Sequence, residues 1–326
     1  MESNRWRLWT GTLVVSSLLV AIISGAVLSL FYQPSSLTGN RHLYRAATSI
    51  LDSSGDTLFR KGEIVWLDVL PPHNGKLIPI GDSSIPSSAA LVSHEAMLDH
   101  HEGVMMVSVH RVAASVLIAS LAAFAASAVI RGYRWYSRDG FVLLILIAAM
   151  ATAWIGTTLP ADSRGLDAYA VGRAFLVDNL PIAGDVIAAI LPIKHNAARL
   201  FSLHAVWLAP ILAIATVFVL SPRTLQVESL TVGIGALAIV VTGWGAMLLG
   251  GHEMSGAVSM PVWHLTVVYL LLQALPMDVT MAIVLMWWCS VFIAGTSHVR
   301  WVRRAGAILI VSWFIAGALI AQFKAL

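Results

Sequence analysis

The sequence predicts an all-α integral membrane protein with seven transmembrane helices and one interfacial helix, on three grounds. Of its 326 residues, 58% are hydrophobic and only 11% charged, and the mean hydropathy is +0.81. A soluble domain needs far more charge to cover its surface. Seven apolar runs are long enough to span a bilayer, and the basic residues between them fall on one side.

Taken in chain order, the runs cover 9–32, 104–130, 141–160, 200–220, 230–250, 278–296 and 305–323. The first has too long an apolar part for a signal peptide and ends in Leu-Phe-Tyr-Gln-Pro34, with no small-residue cleavage site, so it reads as a retained helix. An eighth apolar segment, 261–275, is short, opened by Pro261 and closed by Pro276. Charge decides its placement. If it lies on the membrane surface, Arg5 and Arg7, Arg131, Arg134 and Arg138, Arg223, and Arg300, Arg303 and Arg304 all share one side, which the positive-inside rule makes the cytoplasm. The N-terminus is then cytoplasmic, in a cell inner membrane, and the C-terminus lies outside. Loops 33–103, 161–199 and 251–277 face outward. The first is long enough for a small ordered excursion or a docking surface, with a short strand expected within 65–70.

Composition also excludes whole classes of chemistry. The single cysteine, Cys289, rules out a disulfide framework, thiolate-ligated zinc or iron–sulfur centres, and haem attached through CxxCH. The pI near 9.2 reflects loop arginines, not nucleic-acid binding, because no soluble segment interleaves basic and aromatic residues.

Most of the eleven histidines belong to loops, where polar surface is the ordinary explanation. His110 and His204 differ, because each sits near the outer end of an expected span and an ionisable group inside a membrane is costly. Two neutral imidazoles facing each other at one depth suit the axial positions of a low-spin haem, which favours electron transfer over oxygen chemistry. His94, His100 and His101 form a further cluster, either a divalent metal or second haem site or a solvated amphipathic turn. His298 reads as a loop residue.

Longer motifs carry a resemblance. His110-Arg-Val-Ala-Ala-Ser resembles the second-helix start of cytochrome b from the bc-type complexes, above all the chloroplast form. Arg199-Leu-Phe-Ser-Leu-His204 resembles the opening of that family's fourth helix. Met150-Ala-Thr-Ala-Trp-Ile-Gly156 with Leu159-Pro160-Ala161-Asp162 is similar to its third helix and Leu-Pro-Trp-Asp end, and Leu180-Pro-Ile-Ala-Gly184 to the segment after it. Gly25 to Pro34, with Gly11 fourteen residues before Gly25, is similar to its first-helix exit. These matches cover residues 9–220 in order. Pro261-Val-Trp-His264 more weakly resembles the Pro-Glu-Trp-Tyr motif and surface helix beside the family's quinol-oxidation site.

The resemblance implies a four-helix haem bundle over 1–225 and a three-helix part over 226–326 with its surface helix at 261–275. It implies His110 and His204 as iron ligands of one haem b, Gly25 and Gly156 as places where the macrocycle presses on backbone, and Arg199 and Arg111 beside the propionates. Interfacial snorkelling is the plainer reading of the two arginines. Fourteen residues beyond His110 and His204, where the family carries the ligands of a second, inner haem, stand Phe124 and Phe218, and Val142 replaces the corresponding inner glycine. Phenylalanine cannot ligate iron, so one haem and no conventional Q cycle are expected. The family's proton-accepting glutamate is Val262 here; Glu253, His252 and His264 are weak catalytic candidates to stand in for it, and each is equally placed to be an ordinary loop residue.

The expected role is a membrane subunit of a quinol-linked oxidoreductase complex, not an enzyme alone. It would relay electrons between the quinone pool, with a quinone bound, and an outward-facing partner. Such a partner would be a Rieske-type protein, a c-type cytochrome or a molybdenum oxidoreductase. The alternative is a membrane-anchor scaffold that keeps the cytochrome b shape without quinone chemistry.

Overall fold

The computed structural model describes residues 2–34, 38–46, 48, 50–51, 57–59, 64–67, 77–98, 100–134, 136–180, 184–224, 229–249 and 263–323. Helix α1 (Glu2–Phe31) is followed by five short strands, β1 (Thr38–Ala46), β2 (Ile50–Leu51), β3 (Thr57–Phe59), β4 (Ile64–Leu67) and β5 (Leu77–Ser88). After them come α2 (Ala89–Leu98), α3 (His101–Arg131), α4 (Arg138–Thr158), α5 (Ser163–Asn179) and α6 (Gly184–Ile190). A next helical run opens as α7 (Ala197–Phe201), widens into a π-helical turn (Ser202–Leu208) and continues as α8 (Ala209–Thr224). The chain ends with α9 (Ser229–Leu249), a single 3-10 turn (Trp263–Leu265), α10 (Thr266–Ala274), α11 (Met277–Thr296) and α12 (Arg300–Phe323).

Among the described residues six helices are long and apolar enough to cross a membrane: Trp9–Phe31, His101–Arg131, Arg138–Thr158, Ala197–Val219, Met277–Thr296 and Arg300–Ile320. The chain is a multi-pass membrane protein. The expected fifth run forms α9, whose apolar stretch Thr231–Gly245 is shorter than the other six. Its nine residues make α10 too short to span, as its flanking prolines imply. Helix α12 begins at Arg300, so Arg300, Arg303 and Arg304 occupy its first turns and not the preceding loop.

One part of the expected picture needs correction. The all-α expectation holds for the membrane part only, because the long loop carries an antiparallel sheet of order β4-β1-β5 and a β2–β3 pair. The strand expected within 65–70 is β4, ending at Leu67; residues 68–70 lie outside the described residues. Helices α5 and α6 fill most of the loop 161–199. Asp162 caps α5, its carboxylate accepting the Gly165 N–H at 2.6 Å.

The principal core runs through α1, α3, α4, α8, α11 and α12, with Phe124, Leu143, Leu146 and Ile310 almost wholly enclosed. Membrane helices gain no hydrophobic drive from one another and pack closely through small residues. Gly243 on α9 illustrates this: a Cβ there would stand 2.7 Å from the Val109 Cα on α3. The Ser16 hydroxyl joins α1 to α9 by donating to the Val232 carbonyl at 3.0 Å.

Each end of the bundle is stapled. At the arginine end, Arg131 pairs with Asp139 at 3.1 Å while its carbonyl accepts from the Arg303 guanidinium at 2.8 Å. At the loop end, the Tyr32 hydroxyl donates to the Leu159 carbonyl at 2.5 Å and His195 Nε2 donates to the Thr158 carbonyl at 2.8 Å. The Ser93 hydroxyl accepts the Gln33 N–H at 3.0 Å, which ties α2 to the exit of α1.

Candidate functional site

One turn below that stapled end, α3 and the π-helical turn bring His110 and His204 together. Their ring centroids are 6.4 Å apart and their planes meet edge-on at 74°. Two imidazoles sharing a metal, with bonds of about 2 Å and roughly 1 Å more to each ring centre, would stand about 6 Å apart. The observed spacing fits that arrangement.

Both rings are oriented by backbone of a neighbouring helix. His110 Nδ1 donates to the Ala21 carbonyl at 3.0 Å, with the Ser24 hydroxyl at 3.1 Å, and His204 Nδ1 donates to the Thr152 carbonyl at 2.9 Å. A metal-binding histidine characteristically gives its second N–H to such a carbonyl, which fixes the tautomer and leaves Nε2 for the metal. Glycines supply the remaining clearance. A Cβ on Gly25 would lie 3.1 Å from His110 Cε1, and one on Gly156 only 2.9 Å from His204 Cε1. The residues present therefore fit a bis-imidazole haem, with Gly25 beside one ring and Gly156 beside the other.

No protein-family model and no curated protein sequence matches this chain. Among solved structures, the chain is similar to one titled "Hyperthermophilic respiratory Complex III", with a TM-score of 0.51 and 14% identity over 97% of this chain and 91% of that one. At such identity the likeness shows a shared fold.

Arg111 and Arg199 are exposed at the loop end, beside the histidine pair in sequence. His94 on α2 is buried there. Burial lowers its pKa, Arg111 lowers it further, and Asp162 and Glu95 act in the opposite sense. His100 and His101 are exposed, so the three histidines of this segment do not converge. Among the described residues no group of three or more His, Cys, Asp or Glu is placed to hold a metal ion.

The lid over this end contains a pair that spacing did not reveal. Tyr169 of α5 meets His195 edge-on with centroids 5.3 Å apart, and its hydroxyl donates to the Pro192 carbonyl. Burial raises the Tyr169 pKa and lowers that of His195, so both are neutral near pH 7.

His264 is no exposed loop residue. It is 2% exposed, and its carbonyl accepts the Trp313 indole N–H at 3.3 Å. Its ring lies near the Met150 backbone of α4, two residues from the Thr152 carbonyl that holds His204. Two helical residues rise about 3 Å and turn through roughly 200°, so His264 and His204 touch α4 at similar depth on opposite sides. Val262, Glu253 and His252 lie outside the described residues.

Toward the arginine end, the two phenylalanines part company. Phe124 is 1% exposed and lines a small cleft with Leu121, Val142, Ile145, Thr216 and Val219. None of these six side chains can ligate iron. Phe218, expected to share this level, is 59% exposed and lies beneath the Arg138 guanidinium, 5.2 Å from Cζ to ring centroid. The reason is the π-helical turn, in which the Ala209 N–H reaches back five residues to the His204 carbonyl. That turn takes up an extra residue, which advances everything after it by about 100° relative to an unbroken α-helix. Val219, not Phe218, consequently faces Phe124.

Proposed function

We propose that this chain is the membrane electron-transfer subunit of a respiratory redox complex, built around one haem b held by Nε2 of His110 and Nε2 of His204. The observation that carries the proposal is the facing pair itself: two imidazoles, each tied at Nδ1 to a carbonyl of an adjacent helix and each backed by a glycine. A scaffold has no physical need for imidazoles inside a bilayer.

When bound, a bis-imidazole haem supplies one-electron transfer at a coordinatively closed iron. The chain's own residues do the rest. Ala21 and Thr152 hold the ring orientations through their carbonyls, and Gly25 and Gly156 keep the approach to the rings clear. Arg111 and Arg199 offer positive charge to the propionate edge at the loop end. His264, neutral near pH 7 because burial lowers its pKa to about 4, is the proton-accepting candidate among the described residues.

In this reading α9 is a seventh span, α10 lies in the interface, and the loop end faces outward, with the N-terminus cytoplasmic. Residues 1–225 then form the haem-bearing part and 226–326 the remainder. Electrons pass between quinol and a partner such as a Rieske-type protein, a c-type cytochrome or a molybdenum oxidoreductase docked on the strand-bearing loop and α5–α6. The likeness to a chain of a respiratory Complex III supports membership of a multi-subunit assembly. The apolar lining around Phe124 supports a path that ends at His110 and His204, about 20 Å short of the cytoplasmic face. Optical spectra of the purified chain test the reading directly: one low-spin b haem per chain is expected. Two haems, or none, would overturn it.

A further inference from the structure

The buried stripe of α8 consists of Leu212, Thr216 and Val219. Continued backward at 3.6 residues per turn, it leads to Leu208 and then Ala205, not to His204. Yet it is His204 whose ring meets His110 and the Thr152 carbonyl. One residue too many separates the histidine from the stripe, and the turn Ser202–Leu208 absorbs it.

The sequence contains a physical cause at that place. Pro210 has no N–H to offer the Val206 carbonyl, and in a regular α-helix its ring would collide with that carbonyl. Widening the preceding turn relieves the collision and lets the Ala209 N–H bond to His204 instead. Val206 itself is 57% exposed, so the widened turn projects its surplus outward and disturbs no packing.

We infer that Pro210 and the widened turn are the positioning device for His204, giving the helix one phase above the turn, set by iron ligation, and another below it, set by packing on Phe124. The inference rests on the single-haem reading for its spectroscopic test and on packing alone for a second test. Three variants of the full chain decide it. Deleting Val206 removes the surplus residue but leaves the proline to collide with the closed turn; haem content and the low-spin signature should fall about ten-fold. Deleting Val206 together with Pro210→Ala should return the run to an unbroken α-helix with His204 still in line, and restore haem to within about two-fold of wild type. Deleting Ala213, in the regular part of α8 and with Pro210 kept, shifts the stripe below it out of phase while the proline holds the turn open, and should lose the haem.

A double variant no better than either single deletion would overturn the inference, as would full haem in the Val206 deletion alone. Melting temperatures of the same three proteins must rank in the same order, with the double variant closest to wild type. Measured on haem-free chains, that ranking depends on packing alone. A wild-type chain lacking haem would sink the proposed function, whereas a wrong ranking would sink the account of the turn.

Discussion

Gly156 lies so close to His204 that a Cβ on it would stand 2.9 Å from the imidazole Cε1. The histidine cannot retreat freely, because its Nδ1 is held by the Thr152 carbonyl one turn earlier on the same helix as the glycine. Ring position and helix α4 are therefore coupled. Gly156→Ala should force His204 out of line and lower haem content several-fold, read from the Soret absorbance per chain. Gly25→Ala, with its Cβ at a looser 3.1 Å from His110, should cost less. Equal haem content in both variants and wild type would argue that the glycines play no part in the site.

His204→Ala separates an electron carrier from a scaffold. The carrier loses its low-spin spectrum and its quinol-linked electron transfer by orders of magnitude, while the chain still inserts and assembles. Retention of partner activity in membranes from the variant strain would favour the scaffold.

The two phenylalanines should respond very unequally to truncation. Phe124 is 1% exposed within the principal core, so Phe124→Ala should destabilise the chain by about 3 to 5 kcal/mol. Phe218 contacts only the Arg138 guanidinium among aromatic or cationic partners described for it, and Phe218→Ala should cost about 1 kcal/mol or less. Thermal unfolding in detergent gives both values, and similar losses would mean that Phe218 packs inward after all.

His264 predicts a pH dependence of stability. Burial, the larger influence, lowers its pKa from 6.5 to about 4 against the raising effect of the Met150 backbone. Between those values the unfolded chain binds a proton that the folded chain refuses. The contribution is thus complete above pH 6.5 and is lost as pH falls toward 4, to an extent on the order of 3 kcal/mol. His264→Leu should flatten the decline in melting temperature between pH 7.5 and 4.5. An unchanged slope would assign the decline to other groups, of which buried His94 and half-buried His195 act in the same direction.

Gly243→Val tests how α9 is seated. With the Val109 Cα only 2.7 Å from the added Cβ, backbone must move, and His110 follows Val109 directly in α3. Overpacking of this kind should destabilise by about 1 to 3 kcal/mol and broaden the haem spectrum. Unaltered stability would show that α9 packs elsewhere on α3.

Much of the site was legible because its parts are short and local. The resemblance carried by His110 to Ser115, Arg199 to His204 and the glycines at 25 and 156 pointed to short segments that the structure brings together, Gly25 beside His110 and Gly156 beside His204. Ser24 and the Thr152 carbonyl were not legible, since a carbonyl acceptor leaves no mark on residue type. The strands between α1 and α2 were nearly silent as well, for the loop lacks the clean alternation that marks a half-buried sheet.

Hydropathy and helical spacing determined by themselves that the chain lives in a membrane and where its main helices run, and they put His110 and His204 at similar depth; that the two belong together came from the resemblance of the motifs around them. These are properties of single segments, and a bilayer enforces them segment by segment. Only the tertiary structure decided that Val219 and not Phe218 opposes Phe124, that His264 is buried against α4, and that His94 leaves His100 and His101 for the interior. Counting along an assumed α-helix carries no warning of one surplus residue near a proline. Whether that residue is absorbed in a widened turn, and which way the helix points afterward, depends on the packing of all the helices around it.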